Sequence, residues 1–190
     1  MTTTTAPTQS ALTDLTGAYT LDPAHTRIGF VARHAMVTKV RGAFNEFEGT
    51  ATLDGANPAN SRVQVTIDAA SIDTRSAQRD EHLRGNDFLA MKEHPQITFS
   101  STGVRPLDDT TFEVTGDLTI KGVTNSITIP FTFEGAAKDP FGNLRIGFEG
   151  SVTINRKDYG ITWNAALETG GVLVSDKVTL EFEVSAIKNA

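Results

Sequence analysis

Residues 26–36 read TRIGFVARHAM and, after a short corner, residues 40–53 read VRGAFNEFEGTATL. In the first half Ile28, Phe30, Ala32, His34 and Met36 share one parity, with Arg27, Gly29 and Arg33 on the other. A period of two predicts a strand with one apolar and one wet face. In the second half Phe44 and Phe47 are three apart and cannot share a face of a regular strand, whereas Phe47, Gly49, Ala51 and Leu53 alternate cleanly. A bulge near Asn45-Glu46, adding one residue and flipping the parity, reconciles the two halves. Gly42 and Gly49 stand where a strongly bent strand needs a missing side chain. Long strands with one apolar face, a bulge and glycine bends predict a sheet that curls into a barrel.

Upstream, Tyr19-Thr20-Leu21 is a short strand stopped by Asp22-Pro23, since proline cannot donate to a ladder. Residues 1–17 are Thr-rich and poor in large apolar groups, which predicts a tail, with Ala11 to Leu15 able to dock as one helical turn. Residues 18–190 are expected to form the barrel domain. Downstream, the segment from Asp54 to Ser61 is dense in turn residues, and Val63, Val65, Ile67 and Ala69 alternate with polar neighbours. The period changes between Asp73 and Arg84, where a capping residue, an Asp80–Arg84 pair at i,i+4 and a stop at Gly85 predict one helix of two to three turns. The stretch from Asn86 to Met91 is expected to plug the open end of the barrel. After Pro95, strands are expected over 96–105, 111–120, 126–133, 144–155 and 176–187, joined by short links at 107–110, 121–125 and 139–143. About eight long strands, one helix and no βαβ rhythm describe an antiparallel up-and-down barrel or a curled sandwich.

The chain of 190 residues is long enough for one buried core and carries a net charge of −6. That charge argues against a nucleic-acid or anionic-membrane partner, and no continuous basic run offsets it. There is no cysteine, which excludes disulfides and thiolate chemistry. No stretch of eighteen apolar residues spans a membrane. The first residues have neither a basic start nor an apolar core, so the expected location is cytoplasmic, the alternative being a chain whose leader has been removed.

Four histidines, His25, His34, His82 and His94, raise the question of a metal, but His25 and His34 are nine apart and point to opposite faces of a regular strand. No metal site is expected. Asp80-Glu81-His82 is dense in titratable groups, yet adjacent helix residues diverge by 100°, which predicts a solvated, salt-paired face rather than a dyad. Serine-elbow and phosphate-loop motifs are absent. The phenylalanines fall on apolar faces, where they either fill a core or line a lumen. An eight-stranded barrel sits at the size where both are open, and Gly29, Gly49, Gly116 and Gly150 leave room that favours a cavity.

The blocks LDPAHTRIGFVARHAM, GAFNEFEG, TRSAQRDEHLRGNDFL, HPQITFSS, GDLTIKGVTNSITIPF and NRKDYGI, in that order, resemble the YceI family from about Tyr19 to the C-terminus. The resemblance falls on Asp22, Pro23, His25, Phe30, His34, Gly42, Phe44, Phe47 and Gly49. It continues through Arg79, Asp80, His82, Leu83, Phe88, Pro95, Phe99, Gly116, Leu118, Gly122, Arg156 and Gly160. Departures are Thr26 for a usual serine, Leu89-Ala90 for a Phe-Asp pair and Tyr159 for a common phenylalanine. The resemblance implies an all-β, antiparallel, up-and-down eight-stranded lipocalin-like barrel with one short helix inserted. It also implies an apolar tunnel holding a polyisoprenoid or isoprenoid quinone. The expected lining, on the parity opposite to the charged residues, is Ile28, Phe30, His34, Phe47, Phe99, Leu118, Ile129, Phe131 and Phe148. The expected function is binding and shielding of such a lipid for storage, transport or sequestration, without catalysis and without any cofactor beyond the lipid. The alternatives are an enzyme using His34, Arg156 or Tyr159 on a lipid in the same tunnel, and a stress-related structural module. No nucleic acid and no membrane span are expected, and a homodimer is left open.

Overall fold

The computed structural model describes residues 12–190. Eleven strands form one antiparallel sheet: β1 (Gly17–Leu21), β2 (Arg27–His34), β3 (Thr38–Phe44), β4 (Phe47–Leu53), β5 (Arg62–Asp68), β6 (Ile72–Asp73), β7 (Gln96–Pro106), β8 (Thr111–Ile120), β9 (Val123–Lys138), β10 (Leu144–Asn155) and β11 (Lys177–Lys188). The pairing order is β1-β4-β5-β7-β8-β9-β10-β11, and β11 pairs back to β1, so eight strands close into a barrel. Closure removes the free edges that an open sheet would present. Strand β11 also pairs with β2, which pairs with β3, which pairs with β6. The early strands are therefore broken in two, with β1 and β2 successively covering the same side of β11. The break between β3 and β4 falls at Asn45-Glu46, where the phenylalanine spacing places an irregularity.

The tail expected over 1–17 lies, for its first eleven residues, outside the described residues. From Leu12 onward the chain is packed: Leu12 and Leu15 are buried, Leu15 N–H donates to Leu12 O at 3.0 Å, and the fully buried Tyr19 hydroxyl donates to Leu15 O at 2.7 Å. The turn after β4 closes on this segment so tightly that a Cβ at Gly55 would collide with the Leu12 carbonyl. The 121–125 link shrinks to two residues, Lys121 (φ 52°) and Gly122 (φ 76°), the left-handed pair that matches the twist of a tight hairpin. Strand β9 accordingly begins three residues earlier than the period suggests.

The helix α1 (Ala77–Arg84) is capped by Ser76, whose side chain accepts from Arg79 N–H. The expected Asp80–Arg84 pair is not made. Asp80 is buried and accepts from the Thr74 N–H (2.8 Å) and hydroxyl (2.5 Å), while Arg84 donates to the Ala70 and Ile72 carbonyls at 2.8 and 3.2 Å. Of the solvated, salt-paired face expected over Asp80-Glu81-His82, Glu81 and His82 are exposed and His82 pairs with Asp87 at 2.9 Å, whereas Asp80 turns inward. Asp80, Arg79 and Arg84 satisfy the irregular backbone of 70–74, because buried carbonyls and amides must find partners.

Candidate functional site

The barrel interior divides into two apolar clusters along its length. One contains Ile28, Ile67, Ile97, Phe99, Leu118, Ile120 and Ile129, with Phe88, Leu89, Tyr159 and Ile161 above them. The other contains Leu12, Leu15, Tyr19, Leu21, Phe112, Phe133 and Ile146. The first surrounds a cavity of about 230 Å³. Its wall comes from β2 (Ile28, Phe30, Ala32), β5 (Val63, Val65, Ile67), β7 to β9 (Ile97, Phe99, Leu118, Ile129, Phe131) and β11 (Val178, Leu180, Phe182).

The hollow follows from a pairing rule on the wall. Phe30 stands directly opposite Gly42 on β3, and Phe131 directly opposite Gly150 on β10. Phe99 on β7 lies diagonally from Gly116 on β8. In each case the ring covers the glycine. A Cβ at Gly116 would stand 2.5 Å from Phe99 Cζ, one at Gly150 would stand 2.6 Å from Phe131 Cδ1, and one at Gly42 would meet the Phe30 ring. Three of the largest wall side chains thus lie flat against neighbouring strands instead of reaching across the lumen. Glycine here supplies space on the wall, and the space appears in the middle.

The end of the cavity is covered by α1 through Leu83, by the segment after it through Phe88 and Leu89, and by the chain from Arg156 to Val174. Trp163 locks these covers together. Its ring lies 4.8 Å from His82 and 5.4 Å from Phe88, and His82 meets Phe88 edge-on at 5.0 Å while pairing with Asp87 Oδ2 at 2.9 Å. Beyond the block that ends at Ile161, sequence reasoning is silent on 162–175, where no period exists to read; the single tryptophan of the chain was the available signal.

Three polar side chains reach the wall, and the Thr26 hydroxyl is satisfied by the Ser185 backbone, donating to its carbonyl and accepting from its N–H, both at 3.0 Å. Arg156 is buried and spends its guanidinium on the carbonyls of Ser175 (2.9 Å), Ile161 (2.8 Å), Trp163 (2.8 Å) and Val174 (3.4 Å). Burial lowers its pKa from the ordinary guanidinium value, opposed by Asp176 at 3.8 Å. The cation serves the backbone of the cover. Tyr159 is 1% exposed, and its hydroxyl, though near Asn125, makes no hydrogen bond of adequate geometry. Burial raises its pKa, which keeps the phenol protonated. The Asn125 amide N–H donates instead to Asp158 O at 2.8 Å.

Of the nine residues expected on the lining, Ile28, Phe30, Phe99, Leu118, Ile129 and Phe131 are on the cavity wall. The other three are not. His34 is exposed at the end of β2, bridged to Val174, beyond the last cavity residue of that strand. Phe47 lies between the two clusters and packs against both. Phe148 belongs to the second cluster, where its ring meets Phe133 at 5.2 Å. Among the described residues no group of three His, Asp or Glu side chains could hold a metal ion. His25, rather than joining a site, pairs through Nδ1 with Asp22 Oδ2 at 2.7 Å in the turn between β1 and β2.

Comparison with known proteins places this geometry in a family. A UPF0312 protein of Ectopseudomonas mendocina is 43% identical over 138 residues, covering 73% of this chain and 72% of the relative. A UPF0312 protein of Pectobacterium atrosepticum is 42% identical over 138 residues, covering 73% of this chain and 71% of that one. Among solved structures, Burkholderia cenocepacia BcnA superposes with a TM-score of 0.77 at 28% identity, covering 87% of this chain and 98% of its own. A polyisoprenoid binding domain from Saccharophagus degradans, implicated in plant cell wall breakdown, shares the fold with a TM-score of 0.68 at 16% identity, covering 90% of this chain and 98% of its own. The model of the YceI-like domain matches residues 19–186, and the chain belongs to the YceI-like family.

Proposed function

We propose that the protein binds and shields an amphiphilic isoprenoid-type lipid, a polyisoprenoid or isoprenoid quinone, by enclosing part of its chain in the barrel cavity. The observation that carries this is the wall itself: aliphatic and aromatic side chains around a hollow that glycine pairing holds open. Family membership supports it, and the Saccharophagus relative of the same fold is a polyisoprenoid binding domain.

Volume bounds what the cavity takes. A cavity of ~150 Å³ holds benzene, which is about 25 Å³ per carbon. The 230 Å³ here then accommodates on the order of nine carbons, nearly two prenyl units, at that packing. Each unit contributes about 3 kcal/mol gross on burial. Association costs ~4–15 kcal/mol, so two units reach only the low end of that range. Tight binding of a long chain therefore requires wall rings or the α1 cover to yield, which widens the hollow.

Binding without catalysis fits the polar groups. His34 lies off the cavity, and Arg156 has its donors committed to backbone carbonyls. Tyr159 is the group best placed to meet a ligand oxygen, since a buried hydroxyl without a partner is costly and an acceptor would relieve it. The test is mass spectrometry of an organic extract of the purified protein, together with incubation of the extracted lipid with fresh protein. The expected result is a co-purifying isoprenoid recovered unchanged. Recovery of a chemically altered lipid would establish the enzyme reading instead, and a protein that neither carries nor takes up lipid would end the proposal.

A further inference from the structure

The hairpin of β2 and β3 breaks three local rules at once. On its outer face Arg33 stands directly opposite Lys39, with Arg41 opposite Val31 one outward position along. Like charges facing each other across a ladder are unfavourable. No carboxylate pairs with them: among the described residues none of the three forms an ion pair, Asp73 on β6 stands opposite Ala43 and accepts from Asn45 and the Arg75 N–H, and Arg27 lower on the same face reaches Glu181 at 4.0 Å. The packed-over segment 161–176 offers two acids, of which Asp176 pairs with Lys157 at 3.3 Å and Glu168 makes no ion pair. Residues 27–41 hold four cations and no carboxylate in a chain of net charge −6. These cations alternate with apolar residues, so they form no basic run in sequence; the pairing of β2 with β3 gathers them.

The turn is the second anomaly. Ala35 (φ 49°) and Met36 (φ 64°) both adopt left-handed backbone, positions where Asn-Gly is the cheap choice. The third is exposure. Met36 is 59% and Val37 75% exposed, with Val172, 40% exposed, on the adjoining loop. That loop is tied to the tip by the Ala35 N–H donating to Leu173 O at 2.8 Å and by the His34–Val174 bridge, and Val174 is itself on the cavity wall. An apolar tip with cations on the outer face of the same hairpin, on the covered end of the cavity, matches one chemistry: anionic head groups above an acyl interface.

We propose that the β2–β3 hairpin docks the protein on an anionic lipid bilayer, Met36 and Val37 entering the interface and Arg33, Lys39 and Arg41 lying against the head groups. This departs from what the net charge alone suggests, because a local patch within a Debye length of the surface is what the membrane meets. Its use, handing an isoprenoid chain between bilayer and cavity, rests on the lipid-binding reading; the docking itself does not.

The experiment is co-sedimentation of the full chain with vesicles of phosphatidylcholine alone and of phosphatidylcholine with about one third phosphatidylglycerol, at low and high salt. Each cation near an anionic surface is worth about fivefold in partitioning. Arg33→Gln/Lys39→Gln/Arg41→Gln should therefore weaken binding to the anionic vesicles ~100-fold, and Met36→Asp/Val37→Asp at least tenfold. All five positions are solvent-exposed, and an unchanged thermal melt confirms the fold of each variant. Binding by wild type that high salt and either variant remove supports the proposal. Absence of wild-type binding, equal binding to neutral vesicles, or variants that bind like wild type would overturn it. So would a tip that instead drives self-association without lipid. Extracting lipid from the same preparations separates the two ideas: lipid-loaded protein that ignores vesicles refutes docking alone, and vesicle binding by protein that takes up no lipid refutes the cavity's role alone.

Discussion

The two halves of one barrel are made from the same strands, yet one is hollow and the other is solid. Strands β9 and β10 show the difference most plainly. Towards the cavity Phe131 stands opposite Gly150, and the ring folds onto the glycine; two residues from it Phe133 stands opposite Phe148, and the two rings fill the lumen at 5.2 Å. Both alignments belong to one unbroken register, and Phe131 and Phe133 share a parity, so both rings face inward; the register shift between Gly147 and Phe148 lies beyond them, towards the β9–β10 turn. The solid half is then closed by Leu12 and Leu15, with Tyr19 fixing the turn that carries them. Between β9 and β10, ring opposite ring fills the lumen and ring opposite glycine forms the wall, although on its other side Phe131 faces Phe112 of the solid half. Both regions are built from aliphatic and aromatic side chains, and on β9 and β10 the cross-strand partner distinguishes them.

That contrast is broken most forcefully by truncating one aromatic in each half. Phe133→Ala, at a site 4% exposed and packed on all sides, should cost about 3–5 kcal/mol in chemical denaturation. Phe131→Ala removes a ring that already borders open space and should cost about 1–3 kcal/mol, while enlarging the cavity. Equal costs would mean the hollow half is as tightly filled as the solid one.

A smaller effect sharpens the role of glycine. In Gly42→Ala the new Cβ would meet the Phe30 ring and, at 2.9 Å, Thr74 Cγ2, so the ring must swing towards the lumen. The expected outcome is roughly a tenfold loss in affinity for a short prenyl alcohol, read by intrinsic or probe fluorescence, with about 1–3 kcal/mol of stability lost to overpacking. Unchanged affinity in a folded Gly42→Ala protein would show that glycine pairing does not hold the cavity open.

The smallest effect concerns the pinning of the solid end. Arg145 donates to Asp22 at 2.5 Å and to Asp139 at 2.8 Å, joining the β1–β2 turn to the β9–β10 turn. The hydrogen bonds from Arg145 and then His25 hold the Asp22 carboxyl below its ordinary value. A carboxylate with a lowered folded pKa adds stability that is fully present above the unfolded value and is lost as pH falls through the folded one. Stability should therefore decline as pH drops below about 4, where an unfolded aspartate begins to protonate. Asp22→Asn should flatten that acid limb in pH-dependent melts without altering ligand affinity, since the pair lies at the far end from the cavity cover. A parallel loss of affinity would mean that the two ends are coupled.

The sequence was most legible where side chains alternate. The parity of Ile28, Phe30 and Ala32, of Ile127, Ile129 and Phe131, and of Leu180 and Phe182 reports which face turns inward, and each of these residues is on the cavity wall. Parity says nothing of height along the barrel axis. His34 has the inward parity of its strand but lies past the end of the barrel, and Phe148 has it in the half that is filled. The cover was illegible for a different reason. Ile161, Trp163 and Val174 are brought over the cavity by an irregular chain whose shape is set by Arg156 hydrogen bonds, and no local period encodes contacts between a guanidinium and carbonyls up to nineteen residues away. The helix was found by its cap and stop and its Glu81 and His82 are exposed as expected, but the inward turn of Asp80 and Arg84 was illegible because the backbone they serve belongs to a segment with no readable pattern.

The most direct measurement of the central claim is methyl NMR of the protein titrated with farnesol, following the isoleucine and leucine methyls of both halves in one spectrum. Shifts are expected at Ile28, Ile129 and Leu118 on the cavity wall, with Ile146, Leu12 and Leu15 in the solid half left in place. Equal perturbation of both sets, or movement confined to Ile146 and Leu15, would contradict it.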